Sequence, residues 1–443
     1  MNRKNTQLGI IWILLFSFLV LTPILILILG PKFGERPPIL DFSVGLGFVG
    51  MAIMALQFII SGRIKIFNRP FGTDLIYHFH RQIGIAAFFM VFTHPLLLFI
   101  IDKRYLRLLN LITAPWRARA AVTSIVLLII VIFTAEYREK LKISYKVWKL
   151  WHGIFSTVMV GLALVHIFLA GRYTDLPWKR ALWIGYSILF LGLLVWTRII
   201  YPLRLMRRSF RVKATKEEQG DVRTIILEPI NHKGFQFLPG QFAWLTAWNT
   251  PFSDTEHPFS IASSAEKKHE IEMSIKNLGP FTKKIRSLKS GDRVYVDGPY
   301  GSFSLDRISD NERLILIPGG IGVTPIMSML CTMADRSDKR PILLFYCNRE
   351  WETVTFKDEI KGLENKLNVK TIYTIEKPPE NWKGESGFLN KEILMRHIPE
   401  KWFSEGTDVF LCGPTPMMNA VEGELQKIGF KDSQIHTEKY SFA

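Results

Sequence analysis

Six uncharged, apolar runs in the first half of the chain limit its fold more than any other feature. They extend from Asn5 to Pro31, Phe42 to Gly62, Gln82 to Ile101, Ala120 to Ala135, Leu150 to Gly171 and Ala181 to Thr197. A helix needs about 20 apolar residues to cross the hydrocarbon of a bilayer. The fourth and sixth runs are shorter, but can borrow flanking residues or end in a snorkelling cation such as Arg119 or Arg198. Backbone groups in lipid must be satisfied inside the segment, so the expected structure is a bundle of six spanning helices. Two later uncharged runs do not qualify. Gly234 to Ser253 is interrupted by Gly, Pro, Gln and Asn, and Leu314 to Ala334 is broken by PGGIGVTP, which reads as a strand, a turn and a helix.

Composition agrees with a membrane protein. Of 443 residues, 48% are hydrophobic and 21% charged, and 56 Lys+Arg against 39 Asp+Glu give a net charge of +17. These values exclude a disordered chain, a collagen and a disulfide-stapled secreted domain. Three cysteines without CxxC spacing offer neither a disulfide framework nor a zinc site. The apolar fraction is too high for a nucleic-acid binder, whereas positively charged cytoplasmic loops account for both numbers. Arg3, Lys4, Arg63, Lys65, Arg69, Arg138, Lys140, Lys142, Lys146, Lys149, Arg204, Arg207 and Arg208 fall on one side. A smaller set falls on the other: Lys32, Arg36, Lys103, Arg104, Arg107, Arg117, Arg119, Arg172, Lys179 and Arg180. Both termini are therefore expected in the cytoplasm, with the chain multi-pass in the plasma (inner) membrane and lipid as a partner. The first run lacks a small-residue cleavage signature and is kept as a span.

Ionisable side chains inside a span are expensive and point to function. His80 and His94 lie on the third span, His152 and His166 on the fifth, with equal spacing. That spacing returns each pair to nearly the same helix face and separates its members by about 21 Å along the axis. Two such helices running in the same direction set His80 level with His152 and His94 level with His166. Each level offers two imidazoles, the axial set of a six-coordinate haem b. Such haems pass single electrons. The basic third loop, with Arg117 and Arg119, could pair with haem propionates or attract an anionic acceptor, or could bind lipid headgroups.

From about Leu205 the pattern changes to strands, turns and charged helices. The expected domains are residues 1–204 in the membrane, a β-rich unit over 205–308 and an α/β unit over 309–443. PGQF (Pro239–Phe242) and HPFSIASS (His257–Ser264) lie in the β-rich unit, where Phe259 and Ser260 can cover a flavin and bond its reactive edge, with His257 beside them. Gly279-Pro280-Phe281-Thr282 opens a helix suited to phosphate. In the α/β unit, strand Leu314–Ile317 leads into Gly319–Pro325 (GGIGVTP), a turn that lets a dinucleotide approach the backbone closely. Strand Ile342–Tyr346 precedes Asn348-Arg349, and strand Val409–Leu411 runs into Cys412-Gly413-Pro414. Arg349 suits the 2′-phosphate of NADPH or makes a surface salt bridge; Cys412 is a site residue or a buried structural thiol.

The order PGQF, HPFS, GPYG (Gly298–Gly301), GGIGVTP, CGP and a near-terminal aromatic resembles the ferredoxin–NADP reductase superfamily. Joined to six spans with paired histidines, it resembles the NADPH oxidase and ferric reductase family, in a compact prokaryotic form. That resemblance implies an antiparallel FAD-binding β-barrel and a parallel-sheet NAD(P)-binding domain after the transmembrane bundle. It implies that His257, Pro258, Phe259, Ser260, Lys276 and Gly279 hold FAD, Thr282 its phosphate, and Phe442 stacks on the isoalloxazine. Gly319, Gly320, Gly322, Thr324, Pro325, Gly413 and Pro414 would line the NAD(P) site, with Cys412 and Glu438 near the nicotinamide. The four histidines would ligate two b haems. Leu98 stands where animal members carry a second histidine beyond the outer ligand of the third span. The expected activity is electron transfer from NADPH (NADH possible) through FAD, the His80/His152 haem and the His94/His166 haem to an outer acceptor. Oxygen giving superoxide comes first, a ferric chelate next, then a quinone or partner metalloprotein, although no protein partner is evident. A different class of reading makes the bundle a haem-free anchor or a proton relay.

Overall fold

The computed structural model describes residues 3–29, 37–62, 64, 70–171, 173–253, 255–267, 269–308, 312–403 and 406–438. Phe442 lies outside the described residues, as do the loop cations Lys32, Arg36, Arg63, Lys65, Arg69 and Arg172. Two compact units form: one is essentially Thr6–Phe71 with Leu75–Tyr201, and the other is built mainly from Pro202 onward.

The first unit holds six helices long and apolar enough to span a bilayer. They are span 1 (Thr6–Ile28), span 2 (Pro38–Ile60), span 3 (Leu75–Ile101), span 4 (Trp116–Tyr137), span 5 (Tyr145–Ala170) and span 6 (Pro177–Met206). Span 2 runs through the middle, with Met51, Ala52, Ile53 and Leu56 buried. A Cβ on its Gly50 would stand 2.5 Å from Val91 Cγ2 of span 3, so glycine there lets two backbones approach. Phe48 packs on Trp183 and Phe58 on Phe190, joining spans 2 and 6.

Span 6 takes one of the two forms expected for it, in which the short run borrows flanking residues. Arg198 does not end it, because Ile199, Ile200 and Leu203 carry the helix on to Met206, and Trp196–Ile200 form a π-helical turn. Tyr201 N–H bonds the Trp196 carbonyl across that turn, and Thr197 Oγ1 donates to the Leu193 carbonyl at 2.7 Å.

Pro23 sits inside the first helix, and its missing N–H leaves the Leu19 carbonyl without a helical donor. The buried Tyr186 hydroxyl of span 6 donates to that carbonyl. Two turns on, buried Lys179 Nζ donates to the Ile26 carbonyl near the helix end. Spans 1 and 6 are thus fastened through two carbonyls of span 1, those of Leu19 and Ile26.

The second unit begins with a six-stranded antiparallel sheet: β1 Ser209–Glu218, β2 Val222–Pro229, β3 Phe242–Ala247, β4 His257–Ser260, β5 Ile271–Lys276 and β6 Arg293–Tyr300. The strand order is β4-β3-β6-β1-β2-β5, and an Ile261–Met273 bridge draws the end of β4 toward β5, curling the sheet into a half-barrel. Phe210, Val212, Leu227, Leu245 and Val294 fill its interior. A six-stranded parallel sheet follows: β7 Arg313–Pro318, β8 Ile342–Glu350, β9 Val369–Lys377, β10 Glu385–Ser386, β11 Thr407–Cys412 and β12 Ile435–Thr437. Its order is β10-β9-β8-β7-β11-β12, and its central strands are buried on both faces. Helix α2 (Val323–Asp335), after β7, also touches the barrel. Ser328 Oγ donates to the Ser263 carbonyl at 2.8 Å, Ala265 N–H to Thr332 Oγ1 at 2.9 Å, and Arg336 pairs with Glu266 and Asp306.

Removing the Tyr186 hydroxyl strands a buried carbonyl, which costs about 1–3 kcal/mol. Tyr186→Phe is therefore expected to lower thermal stability in detergent. Because Pro23→Ala restores an N–H to the Leu19 carbonyl, the loss should shrink in the Pro23→Ala background. A double-mutant cycle of melting curves measures this, and equal losses in both backgrounds would contradict it.

Candidate functional site

The membrane unit carries the four histidines as two pairs. His80 and His152 face each other with ring centres 6.5 Å apart and planes at 59°. Two imidazoles on one metal, with metal–nitrogen bonds of about 2 Å and ring centres about 1 Å behind each nitrogen, have centres roughly 6 Å apart. Trp148 packs on His152 at 4.9 Å, and Gln57 Nε2 donates to the His80 carbonyl at 3.0 Å. The Nδ1 atoms of both histidines are buried and without a hydrogen bond among the described residues.

His94 and His166 line one cavity of about 620 Å³, together with Val44, Met51, Phe92, Leu98, Tyr105 and Arg117 among others. His94 Nδ1 lies 3.0 Å from the Ser43 carbonyl oxygen, and His166 Nδ1 lies 2.9 Å from the Arg117 carbonyl oxygen. A carbonyl only accepts, so each Nδ1 carries the proton and each Nε2 keeps its lone pair. This is the tautomer of a metal-ligating imidazole held by an outer hydrogen bond. Ser43 is fully buried and its hydroxyl also donates to the His94 carbonyl at 2.9 Å. Gly47 lies against the ring, since a Cβ there would be 3.3 Å from His94 Cγ. The outer pair opens on a largely apolar cavity, and the inner pair faces across a gap of the size that two imidazoles on one metal would leave, so the residues at both levels fit a haem. No cluster of three or more His, Cys, Asp or Glu side chains suited to a metal occurs among the described residues, so each level offers its pair alone. Arg119 is spent on its own loop, donating to the Ala114 and Ile112 carbonyls, whereas the Arg117 side chain lines the cavity.

In the barrel, β4 carries His257, Pro258, Phe259 and Ser260, paired with β3. His257 stacks on Phe281 at 3.7 Å, and Phe259 lies parallel to the same ring at 6.2 Å. Phe281 belongs to α1 (Pro280–Ile285), whose N-cap is Gly279. Thr282 Oγ1 accepts from the Leu278 and Gly279 amides and donates to the Gly279 carbonyl, so the hydroxyl closes this turn. Lys276 ends β5, opposite Val222 of β2.

In the parallel sheet, β7 leads through Gly319 into a tight turn, Gly320–Gly322, and then α2. Gly320 has φ +54°, and a Cβ on Gly322 would lie 2.3 Å from the Cys412 carbonyl oxygen. Gly319 N–H donates to that same carbonyl at 2.8 Å. A Cβ on Gly413 would be 3.1 Å from Gly319 Cα, so the ends of β7 and β11 are pressed together. Thr324 Oγ1 donates to the Ile321 carbonyl, Pro325 is buried behind it, and Pro414 caps α3 (Thr415–Lys427). Cys412 is fully buried, and burial, with Glu438 nearby adding to it, pushes its thiol well above the ordinary range. Glu438 also approaches the GPYG segment, since a Cβ on Gly301 would be 2.6 Å from its Oε1. Strand β8 runs further than expected, through Glu350, so Arg349 lies within it; the residue is exposed and makes no ion pair among the described residues.

Three family patterns match the chain in order. Residues 46–163 match "Ferric reductase like transmembrane component", 205–304 match "FAD-binding domain" and 316–423 match "Oxidoreductase NAD-binding domain". That order is the architecture of the NADPH oxidase and ferric reductase family. A protein named NADH-cytochrome b5 reductase 2 from Yarrowia lipolytica is 29% identical over 51% of this chain and 84% of its own length. NADH-cytochrome b5 reductase 2-A from Vanderwaltozyma polyspora is 34% identical over 41% of this chain and 62% of its own. Several such matches take in less than two thirds of the relative. The cytochrome b5 reductase domain of Ulva prolifera nitrate reductase aligns over 53% of this chain and 98% of its own at 22% identity, with a TM-score of 0.46.

The chain is thus a multi-pass membrane oxidoreductase of this ferric reductase-like architecture, taking electrons from NAD(P)H through FAD. Sequence reasoning missed Ser43, Gln57, Gly47 and Phe281. Ser43 and Gln57 had a visible signal, as uncharged polar side chains inside an apolar run; Phe281 had none, because its ring matters only once α1 folds beside β4.

Gly322→Ala is expected to raise KM for NAD(P)H at least tenfold while FAD content is unchanged, since the added carbon meets backbone rather than a movable side chain. Steady-state kinetics with flavin quantification on purified protein tests this; an unchanged KM would contradict it.

Proposed function

We propose that this protein carries electrons from cytoplasmic NADPH through FAD and two b haems to oxygen at the outer face of the plasma (inner) membrane, giving superoxide. The observation that carries this reading is the pairing of four histidines at two levels, with the Nδ1 protons of His94 and His166 fixed on carbonyls. When bound, FAD takes two electrons from the nicotinamide and releases them singly, and a six-coordinate haem b passes single electrons.

The chain's own residues set the conditions. His80 with His152, and His94 with His166, would hold the two haems. Ser43 and the Arg117 carbonyl orient the outer imidazoles. The cavity around them is largely apolar, and Arg117 adds a positive charge at its lining. His257, Pro258, Phe259, Ser260, Lys276, Gly279 and Thr282 would shape the FAD site, and Phe442 would cover the flavin ring. Gly319, Gly320, Gly322, Thr324, Pro325, Gly413 and Pro414 would give the dinucleotide a close backbone surface, with Arg349 on the 2′-phosphate. The buried Cys412 thiol, held protonated, and Glu438 would line the nicotinamide pocket. The excess of cations on one set of loops supports cytoplasmic termini and cytoplasmic FAD and NAD(P) domains. Ferric-chelate reduction by the same path is the second reading, supported by the match of spans 2–5 to the ferric reductase-like component.

Cytochrome c reduction by purified protein in lipid separates the two. Inhibition by superoxide dismutase, with NADPH outperforming NADH and Arg349→Gln erasing that preference, is the expected result. A rate indifferent to dismutase and dependent on added Fe(III) chelate would overturn the oxygen assignment.

A further inference from the structure

Arg198 is a charged residue of the membrane unit that the histidine arrangement does not account for. It lies inside span 6, within the five-residue π-helical turn Trp196–Ile200. A charged side chain inside a span marks a functional site by default. π-Turns are rare and concentrate where a helix has to re-aim a side chain. This one carries its own compensation, since Thr197 Oγ1 bonds the Leu193 and Leu194 carbonyls beside it.

The height of Arg198 is informative. Spans 3 and 5 begin on the side where span 6 ends, because each crossing reverses direction. At 1.5 Å per residue, His80 stands about 8 Å inside the start of span 3, His152 about 10 Å inside span 5, and Arg198 about 12 Å inside the end of span 6. The guanidinium therefore shares the level of the His80/His152 pair. It also touches the helix that bears one of those ligands, since a Cβ on Gly153, next to His152, would stand 2.9 Å from Arg198 Nη2. Glycine at 153 leaves the space the guanidinium occupies.

We infer that Arg198 is an anion-binding residue of the inner haem site, and that the π-turn and Gly153 together aim it at a haem propionate. The planar, permanently charged guanidinium matches a carboxylate in two-point geometry. A lipid phosphate offers similar chemistry; the porphyrin carboxylate is favoured because the guanidinium lies against span 5 at the ligand pair, inward of the span end. A positive charge there also opposes the ferric state, so it raises the reduction potential of the nearer haem. The inference rests on the two-haem reading above.

The test is a spectroelectrochemical titration of the purified full-length protein, with pyridine-haemochrome counting, for wild type, Arg198→Gln, Arg198→Lys and Gly153→Leu. One of two haem transitions should move to lower potential in Arg198→Gln and Gly153→Leu, the other staying fixed, and Arg198→Lys should recover part of the shift. The shifts should be the same in nanodiscs of phosphatidylcholine alone and of phosphatidylcholine with phosphatidylglycerol. Two unmoved transitions in Arg198→Gln, a shift that vanishes in phosphatidylcholine alone, or equal shifts of both transitions would overturn it. Wild-type protein without haem would instead refute the two-haem reading itself.

Discussion

A bilayer interior has no water to satisfy a polar group, and the membrane half of this protein is organised by that constraint. Several ionisable side chains lie within its spans, and His94, His166, Lys179 and Tyr186 bond to backbone carbonyls. Tyr186 and Lys179 fill the carbonyls of Leu19 and Ile26, one of which Pro23 leaves open. His94 and His166 donate to the carbonyls of Ser43 and Arg117. The first set fastens helices; the second sets a tautomer. The same requirement that locks the bundle thus leaves Nε2 lone pairs at the outer cavity, where a metal can use them.

The soluble half solves a different problem, that of bringing two binding motifs from different sheets together. The helix that follows the Gly-rich turn reaches the segment that follows His257–Ser260 through Ser328, Thr332 and Arg336. Under the proposed assignment, a hydride donor on one motif and a flavin on the other would be held by one set of hydrogen bonds. The glycines of the turn have a steric role: Gly322 and Gly413 lie where backbone meets backbone, and no side chain fits.

Much of this was legible in the sequence. The spans could be read because hydrocarbon demands a long uncharged run, and the histidine pairs because helical geometry turns equal spacing into equal height. The parallel sheet followed from short apolar strands each ending in a Gly-rich or polar turn. What could not be read depended on tertiary partners. Span 6 was expected either to borrow flanking residues or to end in Arg198; it borrows them, through a π-turn that Thr197 and the apolar residues beyond sustain. Strand β8 was expected to end at Tyr346, but its ladder with β9 runs to Glu350 and takes Arg349 with it. The Thr282 hydroxyl, expected at the flavin phosphate, also closes its own turn, a role that its sequence position did not reveal. Ser43 shows the general case: its polarity inside an apolar run was visible, but its partner was not until the helix across from it presented an imidazole.

The central claim is that each histidine pair holds its own haem. Haem b per polypeptide, counted from the reduced-minus-oxidised spectrum of purified protein, tests it most directly. The account predicts two haems in the wild type and one each in His94→Leu and His152→Leu, with different remaining spectra. No haem in the wild type, or two retained in either variant, would contradict it.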